Sequence, residues 1–279
     1  MASILIAESG STKTDWCLIG ATQKPKFVKT SGINPYLQTS FEINALLSHE
    51  LNLKKHKPEQ VFFYGAGAGS TEKQKELKTI LRSFFGTRKV EVHSDMVAAA
   101  RGLCGKEKGV VAILGTGSNS CFYDGKAIKS KTASLGYVAG DEGSGNHMGK
   151  RILRYYAYNT FDEDLRVAFE QLFGNDISAI LNHIYKQPFP NRYLAGFVRL
   201  LVENRGHYMI ENIIEDSLNE FFHHHILKYR ESWKHPISFT GSVAYEFRDV
   251  IAAICEQSEL TLGTIERSPL KGLIRFHSK

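Results

Sequence analysis

ILIAESGSTKTD, residues 4–15, is the stretch that decides the fold expected for this chain. Four apolar residues lead into Glu8, a short segment of glycine and hydroxyl residues follows, and Trp16–Ile19 resumes the apolar run. The pattern predicts a β-hairpin with a tight polar turn. Because Gly10 permits close approach of a backbone, the N–H groups and hydroxyls of the turn can converge on an anion. An ordinary hydrophilic turn is the other interpretation.

The polar turn contains the first candidate phosphate ligands, namely Gly10, Ser11, Thr12, Lys13 and Thr14. Lys13 adds a positive charge to the backbone and hydroxyl donors. Glu8, at the end of the first strand, has the wrong sign for a phosphate but suits a Mg²⁺ ion that accompanies one. The turn is therefore a candidate site for a phosphate with its metal.

The composition describes a globular protein large enough for two domains. Of 279 residues, 42% are hydrophobic and 23% are charged, and a chain of this length usually exceeds one core. The net charge of +6 comes from scattered basic residues, so nucleic acid is not an expected partner. No apolar run approaches the roughly 20 residues of a membrane span, and no signal peptide is recognisable. We therefore expect a cytoplasmic protein without a membrane partner.

Cysteine and histidine spacing does not indicate a metal centre. The cysteines lack C-x-x-C spacing, which argues against a zinc site or disulfide framework and suits a reducing cytosol; they are Cys17, Cys104, Cys121 and Cys255. The run His223–His225 lies in a predicted helical region, where three consecutive side chains point to different sides. We expect a solvated face with one buried ring there.

A second turn of glycine and hydroxyl residues repeats the opening pattern. Val110–Leu114 is a predicted strand, Gly115–Ser120 reads GTGSNS, and an apolar strand resumes at Cys121–Tyr123. Gly10 and Gly115 are 105 residues apart. A repeated half-domain with one such turn in each half is more specific than either turn alone. Two turns on opposite sides of a cleft would hold a polyphosphate from both sides.

A third corner of this kind occurs near the end of the chain. Pro236–Thr240 is a predicted strand, and Gly241 and Ser242 follow it directly before a predicted helix, Val243–Glu256. A strand, a Gly-Ser turn and a helix N-terminus form a corner that can bind an anion or a ribose. The tail is then predicted to form a strand, Thr261–Ile265, and a final helix from Pro269.

Two polar residues stand where strands end. Val90–Val92 is a predicted strand, and either Ser94 or Asp95 is expected to cap the helix that follows. Asp95 is alternatively a carboxylate at the carboxyl end of a strand, where open α/β sheets bind their ligands. Asn34 precedes Pro35 and so lies in an extended segment or turn, either as a turn former or as a substrate-binding amide.

Residues 134–149 read SLGYVAGDEGSGNHMG, with five glycines and two adjacent acids. A flexible linker is one interpretation, but Asp141 and Glu142 between glycines are more typical of a binding loop. A helical region is predicted from Lys150 to about Leu227.

Residues 61–92 allow a rival interpretation. A strand, the segment GAGAGS at 65–70, a helix at 71–85 and a second strand have the outline of a dinucleotide fingerprint formed by Gly65, Gly67 and Ser70. The third glycine of that fingerprint is missing, and the interpretation leaves the first hairpin unexplained.

Taken together, these motifs resemble the actin-like ATPase and sugar-kinase superfamily. More narrowly, the chain resembles the N-acetylglucosamine kinase family and its BadF/BadG/BcrA/BcrD-type ATPase relatives. The resemblance covers nearly the whole chain in motif order and rests on ESGSTKTD, SDMVAAA, GTGSNS, GDEGS at 140–144 and FTGSVA at 239–244. It implies two actin-like ATPase (ribonuclease H-like) α/β domains, 1–106 and 107–279, around a central cleft. Each would have a mixed sheet flanked by helices, with helices inserted in the second.

The resemblance also implies a function and assigns roles. It implies ATP- and Mg²⁺-dependent phosphorylation of an amino sugar, N-acetylglucosamine first, at its 6-hydroxyl; a homodimer stays open. Asp95 would be the general base. The sugar would contact Asn34, Asp95, Thr116, Gly117 and Asp141. ATP would contact Gly10, Ser11, Thr12, Lys13, Thr14, Gly115, Thr116, Gly117 and Ser118 through its phosphates, and Gly241 and Ser242 through adenosine. The family usually has Asp where this chain has the metal candidate Glu8.

Two other functions share parts of this pattern. The BadF-type resemblance also fits an activator of 2-hydroxyacyl-CoA dehydratases, which would need cysteines such as Cys104 or Cys121 for an iron–sulfur cluster between subunits. A non-catalytic, nucleotide-regulated binding module is the third option. No GxxxxGK[ST] motif is present, so a P-loop enzyme is not expected. The zinc-binding cysteine cluster of repressor-type sugar kinases is also missing from the sequence.

Overall fold

The structure of the chain, a computed structural model, describes residues 3–10, 12–20, 24–51 and 58–278. The chain forms two compact units, Met1–Lys106 together with Pro269–Lys279, and Glu107–Ser268. The sequence had assigned 269–279 to the second domain, whereas the structure places this segment in the first unit. Along the described part of the chain, no helix combines the length and apolar character needed to cross a bilayer.

The first unit is built on a five-stranded mixed sheet. Its strands are β1 (Ile4–Ser9), β2 (Lys13–Ile19), β3 (Lys26–Ser31), β4 (Gln60–Gly65) and β5 (Lys89–Ser94), in the order β3-β2-β1-β4-β5. β1 pairs antiparallel with β2 and parallel with β4. β1 and β2 therefore form the hairpin that the opening stretch predicted.

Three helices of the first unit cover both faces of its sheet, and they are α1 (Ser40–Glu50), α2 (Thr71–Phe85) and α3 (Asp95–Cys104). Leu5 and Ala7 pack with Leu47 of α1 and Leu77 of α2 on one face, while Ile6 packs with Ala98 of α3 on the other. Because both faces are buried, β1 has a continuous apolar run instead of an alternating pattern.

The second unit repeats the topology of the first. Its strands are β6 (Gly109–Leu114), β7 (Ser118–Tyr123), β8 (Ile128–Lys131), β9 (Ile237–Thr240) and β10 (Leu262–Glu266), in the order β10-β9-β6-β7-β8. β6 pairs antiparallel with β7 and parallel with β9, as β1 does with β2 and β4. This confirms the predicted pair of mixed sheets.

The connection between β8 and β9 contains most of the helices of the second unit, namely α4 (Gly136–Ala139), α5 (Gly145–Ala157), α6 (Glu163–Phe173), α7 (Ile177–Lys186), α8 (Pro190–Gly196), α9 (Val198–Glu203) and α10 (Tyr208–His224). Two 3-10 turns follow, Ile226–Lys228 and Arg230–Trp233; α11 (Ser242–Glu246) and α12 (Arg248–Gln257) connect β9 to β10. Met148 of α5 and Phe221 of α10 share one core with Val110 and Ala112 of β6. The inserted helices are therefore part of the unit's own core.

The C-terminal helix α13 (Leu270–His277) packs against α3 in the first unit. The two helices approach so closely that a Cβ atom at Gly272 would collide with the carbonyl oxygen of Gly102. The His277 ring stacks on Phe62 at 3.7 Å, and its Nε2 lies 2.7 Å from the hydroxyl of Tyr64. These contacts explain why α13 belongs to the unit that is distant from it in sequence.

Candidate active site

The turn between β1 and β2 is closed by a hydrogen bond from Gly10 N to the Lys13 carbonyl, at 2.9 Å. Thr12 and Lys13 are exposed, and Lys13 Nζ lies 2.6 Å from Asp15. Ser11 lies outside the described residues. The described part of the turn therefore presents backbone, one hydroxyl and one cation to solvent.

Thr14, which the phosphate assignment includes, has its side chain turned into the first unit. Its side chain is fully buried, with Oγ1 2.8 Å from Ser9 Oγ and donating to the Ser31 carbonyl at 3.1 Å. Ser9 Oγ in turn accepts from Ile33 N at 2.9 Å. Since these hydroxyls connect the hairpin to the segment after β3, the Thr14 side chain holds the fold together and is not presented to a phosphate.

Asn34 follows that segment and forms a turn with its own side chain. Its Oδ1 accepts from Tyr36 N at 3.0 Å, and its backbone N–H donates to Gln38 at 2.8 Å. Gly67 has a φ of +79° and lies directly against Asn34, where a Cβ would collide with Oδ1. The glycine-rich segment of the rival dinucleotide interpretation therefore supports the Asn34 turn, and Ser70 is the N-cap of α2.

Asp95 is the first residue of α3, and it is partly exposed. The capping hydroxyl belongs to Ser94, which accepts from Val97 N at 3.4 Å, while Asp95 Oδ1 accepts from Met96 N at 2.8 Å. The choice between the two capping candidates is thus resolved in favour of Ser94.

The turn between β6 and β7 is held by the start of α5. Gly145 N donates to the Gly115 carbonyl at 2.8 Å. Asn146 donates to the Thr116 carbonyl twice, from its backbone N at 3.0 Å and its side-chain Nδ2 at 2.6 Å. The carbonyl groups of Gly115 and Thr116 therefore accept from the start of α5, whereas that of Gly117 accepts from Gly115 N within the turn.

Asp141 connects this turn to the GDEGS loop. Its carboxylate is 9% exposed, and its φ of +61° is unusual for a residue with a side chain. Oδ1 accepts from Ser118 N at 3.3 Å and Oδ2 accepts from Asn146 Nδ2 at 2.8 Å. Gly117 faces the same carboxylate, since a Cβ there would lie 2.8 Å from Oδ2. An ionised carboxylate offers about four acceptor positions, so Asp141 retains capacity for further donors.

Asn146 is the site residue that sequence reasoning missed. The helical region was predicted to begin at Lys150, but α5 begins at Gly145, with Ser144 as the N-cap accepting from His147 N at 3.3 Å. A serine followed by helix-compatible residues was the available signal. Asn146 is fully buried, and among the described residues neither its Oδ1 nor Ser118 Oγ has a hydrogen-bond partner. Such orphaned acceptors beside Asp141 indicate a place for a polar ligand.

The third predicted corner lies against the GTG turn. Gly241 has a φ of +118°, and a Cβ there would collide with the carbonyl of Leu114, the last residue of β6. Ser242 is exposed at the start of α11, and the buried Oγ1 of Thr240 has no partner in the described structure. The second unit therefore brings its predicted site residues together: Gly115, Thr116, Gly117, Ser118, Asp141, Gly241 and Ser242.

Burial affects the pKa values of three ionisable side chains in and after the GDEGS loop, namely Glu142, His147 and Lys150. Burial opposes ionisation of Glu142, but its own backbone N–H and the His225 ring outweigh this, so the pKa of Glu142 lies below its usual value. Burial lowers the pKa of His147 and of Lys150. At neutral pH, Glu142 is therefore ionised and His147 is neutral.

The first hairpin fits a metal ion that arrives with a phosphate. Glu8 and Asp15 are direct partners in the antiparallel pair, so their side chains lie on the same face of the sheet. Mg²⁺ in nucleotide sites typically takes one or two carboxylates and completes its shell with phosphates and water. No group of three or more metal-ligating side chains occurs among the residues that the structure describes. The donor set thus suits a nucleotide-borne ion better than an all-protein metal site.

Known proteins resemble the chain over its full length. A candidate N-acetylglucosamine kinase from Porphyromonas gingivalis is 38% identical, with 98% of each chain covered and a TM-score of 0.93. A glucokinase of the ROK family from Streptomyces griseus, solved with glucose and AMPPNP, has a TM-score of 0.58 at 15% identity, covering 99% of this chain and 98% of that one. The second likeness shows the fold alone.

A curated relative is similar over part of the chain. The N-acetylmuramic acid/N-acetylglucosamine kinase of Clostridium acetobutylicum is 27% identical over 168 residues, 56% of this chain and 54% of that protein. The matched part thus spans about half the length of that relative. No family model matches the chain, so the BadF/BadG-type relationship stays a prediction. From the identity and coverage shared with the Porphyromonas gingivalis protein, the chain belongs to the N-acetylglucosamine kinase-like family of sugar kinases.

Proposed function

We propose that the chain is an ATP-dependent kinase that phosphorylates an amino sugar, with N-acetylglucosamine as the substrate and its 6-hydroxyl as the acceptor. The observation that carries this proposal is the assembly formed by the GTG turn, Asp141 and Asn146. It offers the buried carboxylate of the GDEGS loop, which is the loop that most closely matches sugar kinases. Two buried polar atoms outside that loop, Asn146 Oδ1 and Ser118 Oγ, have no partner among the described residues. Family membership supports the same reaction class.

The nucleotide is proposed to contact the glycine turns of the two units. In the first unit these contacts are the backbone of Gly10 and Ser11 with the exposed Thr12 and Lys13. In the second unit they are Gly115–Ser118, with Gly241 and Ser242 near the adenosine. The Thr14 side chain is omitted because its hydroxyl is used inside the first unit.

The sugar is proposed to contact Asp141, Thr116 and Gly117 in the second unit and Asn34 and Asp95 in the first. A buried carboxylate that still has acceptor capacity discriminates strongly for hydroxyl donors, because an analogue lacking them leaves it incompletely paired. The left-handed backbone at Asp141 costs energy. That cost is consistent with a residue whose orientation matters for binding.

Asp95 is proposed to take the proton from the attacking sugar hydroxyl. Phosphoryl transfer depends mainly on positioning and on neutralising charge, so few other side chains have to react. Mg²⁺, when bound with ATP, would supply part of that neutralisation, held at Glu8 and Asp15. Lys13 would add a fixed positive charge at the same hairpin.

The proposal is tested by measuring sugar-dependent ADP release with N-acetylglucosamine, N-acetylmuramic acid, glucosamine and glucose. We expect the highest kcat/KM with N-acetylglucosamine, and a phosphate on its 6-position by phosphorus NMR of the product. ATP binding without any sugar-dependent ADP release would contradict the proposal and favour a binding module. Iron in the purified protein would instead favour the dehydratase-activator alternative.

A further inference from the structure

The histidine run at the end of α10 has one buried member, as the sequence predicted. His225 is 3% exposed, whereas His223 and His224 are exposed. A buried polar ring needs hydrogen-bond partners, and those of His225 belong to the strand and loop that form the candidate sugar site. The inserted helical region, to which no motif was matched, therefore reaches that site through this residue.

His225 holds Glu142, the residue directly after Asp141. Its Nε2 lies 3.1 Å from Glu142 Oε2, and its ring stacks on Phe221 with centroids 4.7 Å apart. Because an ionised carboxylate only accepts hydrogen bonds, Nε2 carries the proton and donates it to Glu142. The stacking fixes the plane of the ring, so the direction of this bond is set by α10.

The other side of the His225 ring is connected to the sheet. Ser120 Oγ of β7 lies 3.4 Å from His225 Nδ1 and 3.0 Å from the hydroxyl of Tyr229. That hydroxyl accepts from Thr132 N at 2.7 Å. A chain of polar contacts therefore runs from Thr132 through Tyr229 and Ser120 to His225 and ends on Glu142. This chain connects the end of β8 to the GDEGS loop.

The loop also packs directly on α10 beside this chain. Gly143 has a φ of +68°, and a Cβ there would lie 2.7 Å from Phe221 Cβ and 3.3 Å from the Ser217 carbonyl. Ser144, which follows Gly143, is the N-cap of α5, the helix that contains Asn146. Asp141 is thus fixed from one side by Asn146 and, through its neighbour Glu142, from the other side by His225.

We propose that His225 is a positioning residue for the candidate sugar site. Through its hydrogen bond to Glu142 it holds the GDEGS loop so that the Asp141 carboxylate faces the substrate. The proposal rests on the proposed sugar-kinase function, because it concerns the affinity of that site. It gives the C-terminal end of α10 a role in substrate binding, in addition to that of Asn146 on α5.

The test replaces His225 while keeping its shape. His225→Phe retains an aromatic ring against Phe221 but cannot donate to Glu142, and His224→Phe makes the same change at the exposed neighbour. Distant positioning residues typically alter coupling by an amount that corresponds to about two- to thirtyfold in affinity. We expect His225→Phe to raise the KM for N-acetylglucosamine within that range, with the KM for ATP unchanged. His224→Phe should match the unmodified protein, and His225→Gln, which can still donate, should recover part of the loss.

A second measurement does not depend on catalysis. Hydrogen–deuterium exchange followed by mass spectrometry should show faster exchange across residues 140–149 in His225→Phe than in His224→Phe, with residues 71–94 unaffected. Unchanged exchange in that loop would overturn the proposal, even if the unmodified protein phosphorylates no sugar in the ADP-release screen. An equal rise of the KM for ATP and the KM for N-acetylglucosamine in His225→Phe would also overturn the proposal and indicate a general structural role. The same holds if the KM for N-acetylglucosamine is as high in His225→Gln as in His225→Phe.

Discussion

The two units have the same strand connectivity but hold their glycine turns in different ways. In the first unit the hydroxyls of Ser9 and Thr14 lock the hairpin to the segment after β3. In the second unit the carbonyl groups of the turn are held by the N-terminus of α5, mainly through Asn146. The first turn is thus supported by its own sheet, and the second by inserted helices. The comparison teaches that one turn motif can be supported by hydroxyl contacts within a sheet or by the N-terminus of a helix. Each turn has a buried carboxylate beside it, but that of Asp15 is paired with Lys13, whereas that of Asp141 accepts from the neutral donors Ser118 N and Asn146 Nδ2.

The largest effect is expected at Asp95, the first residue of α3 in the first unit. Asp95→Asn should lower kcat at least about a hundredfold, because Asn is nearly isosteric but cannot take a proton. The melting temperature and the ATP affinity should stay near normal, since Ser94 supplies the cap. Steady-state kinetics with a thermal melt measure both quantities.

Ser94→Ala is the matched control for this change. Loss of an N-cap typically costs about 0.5–2 kcal/mol of stability, so this variant should melt earlier and keep kcat. A near-normal kcat in Asp95→Asn would remove Asp95 from the mechanism.

A second pair of substitutions compares the two supports directly. Asn146→Ala leaves Asp141 Oδ2 and the Thr116 carbonyl without their side-chain donor, so the KM for the sugar should rise at least about tenfold. Thr14→Val removes the corresponding lock in the first unit and should cost about 1–3 kcal/mol of stability without a specific change in either KM. Kinetics and chemical denaturation of both variants provide the measurement. If Thr14→Val instead weakened ATP binding in a stable protein, the buried hydroxyl would have a ligand role after all.

The glycines of the second turn allow a finer separation. A Cβ at Gly115 meets nothing within 4 Å, whereas a Cβ at Gly117 meets the Asp141 carboxylate at 2.8 Å. Gly115→Val should therefore leave the fold intact and lower ATP affinity, and Gly117→Ala should raise the sugar KM by displacing Asp141. Calorimetry with ATP and steady-state kinetics distinguish the two. The same response in both variants would show that the turn acts as one structural unit.

The smallest effect is expected from the histidine that anchors α13. Burial, with the nearby positive charge of Arg101, lowers the pKa of His277 to about 4. In the unfolded chain the His277 side chain has a pKa near 6.5, so it binds a proton more readily there than in the folded state. The free energy of unfolding therefore falls as the pH falls from about 6.5 to about 4. At pH 5 this loss is at most about 2 kcal/mol.

His277→Phe should flatten the fall in melting temperature between pH 7 and pH 5. It should also melt earlier than the unmodified protein at pH 7, because the bond to Tyr64 is lost. An equally steep fall in the variant would assign the pH dependence to other groups, such as His93, whose pKa burial also lowers.

Local patterns in the sequence were sufficient for much of the fold. The strand that became β4 and the helix that became α2 were predicted within a residue or two, because an apolar run is a signal between neighbours. The structure adds that Ser70 caps α2 and that Gly86 ends it. The start of α5 was predicted too late, since glycines around Asp141 suggested a loop that continued to Lys150. Asp95 and Asp141 were site candidates from their local sequence, whereas their roles as general base and sugar ligand came from the resemblance and stay predictions.

The sequence by itself determined the two glycine-hydroxyl hairpins, their repetition in two halves of the chain and the candidate residues of the loops. These features depend on side-chain periodicity and on backbone freedom, both of which act over a few residues. Only the tertiary structure decided that Thr14 faces inward, that α13 packs on α3, and that Asn146 and His225 hold the Asp141 loop from two sides. Most of those contacts join residues that are distant in the chain, such as Thr14 with Ser31, Asn146 with Thr116, and His225 with Glu142. Their hydrogen bonds form only when folding brings donor and acceptor together.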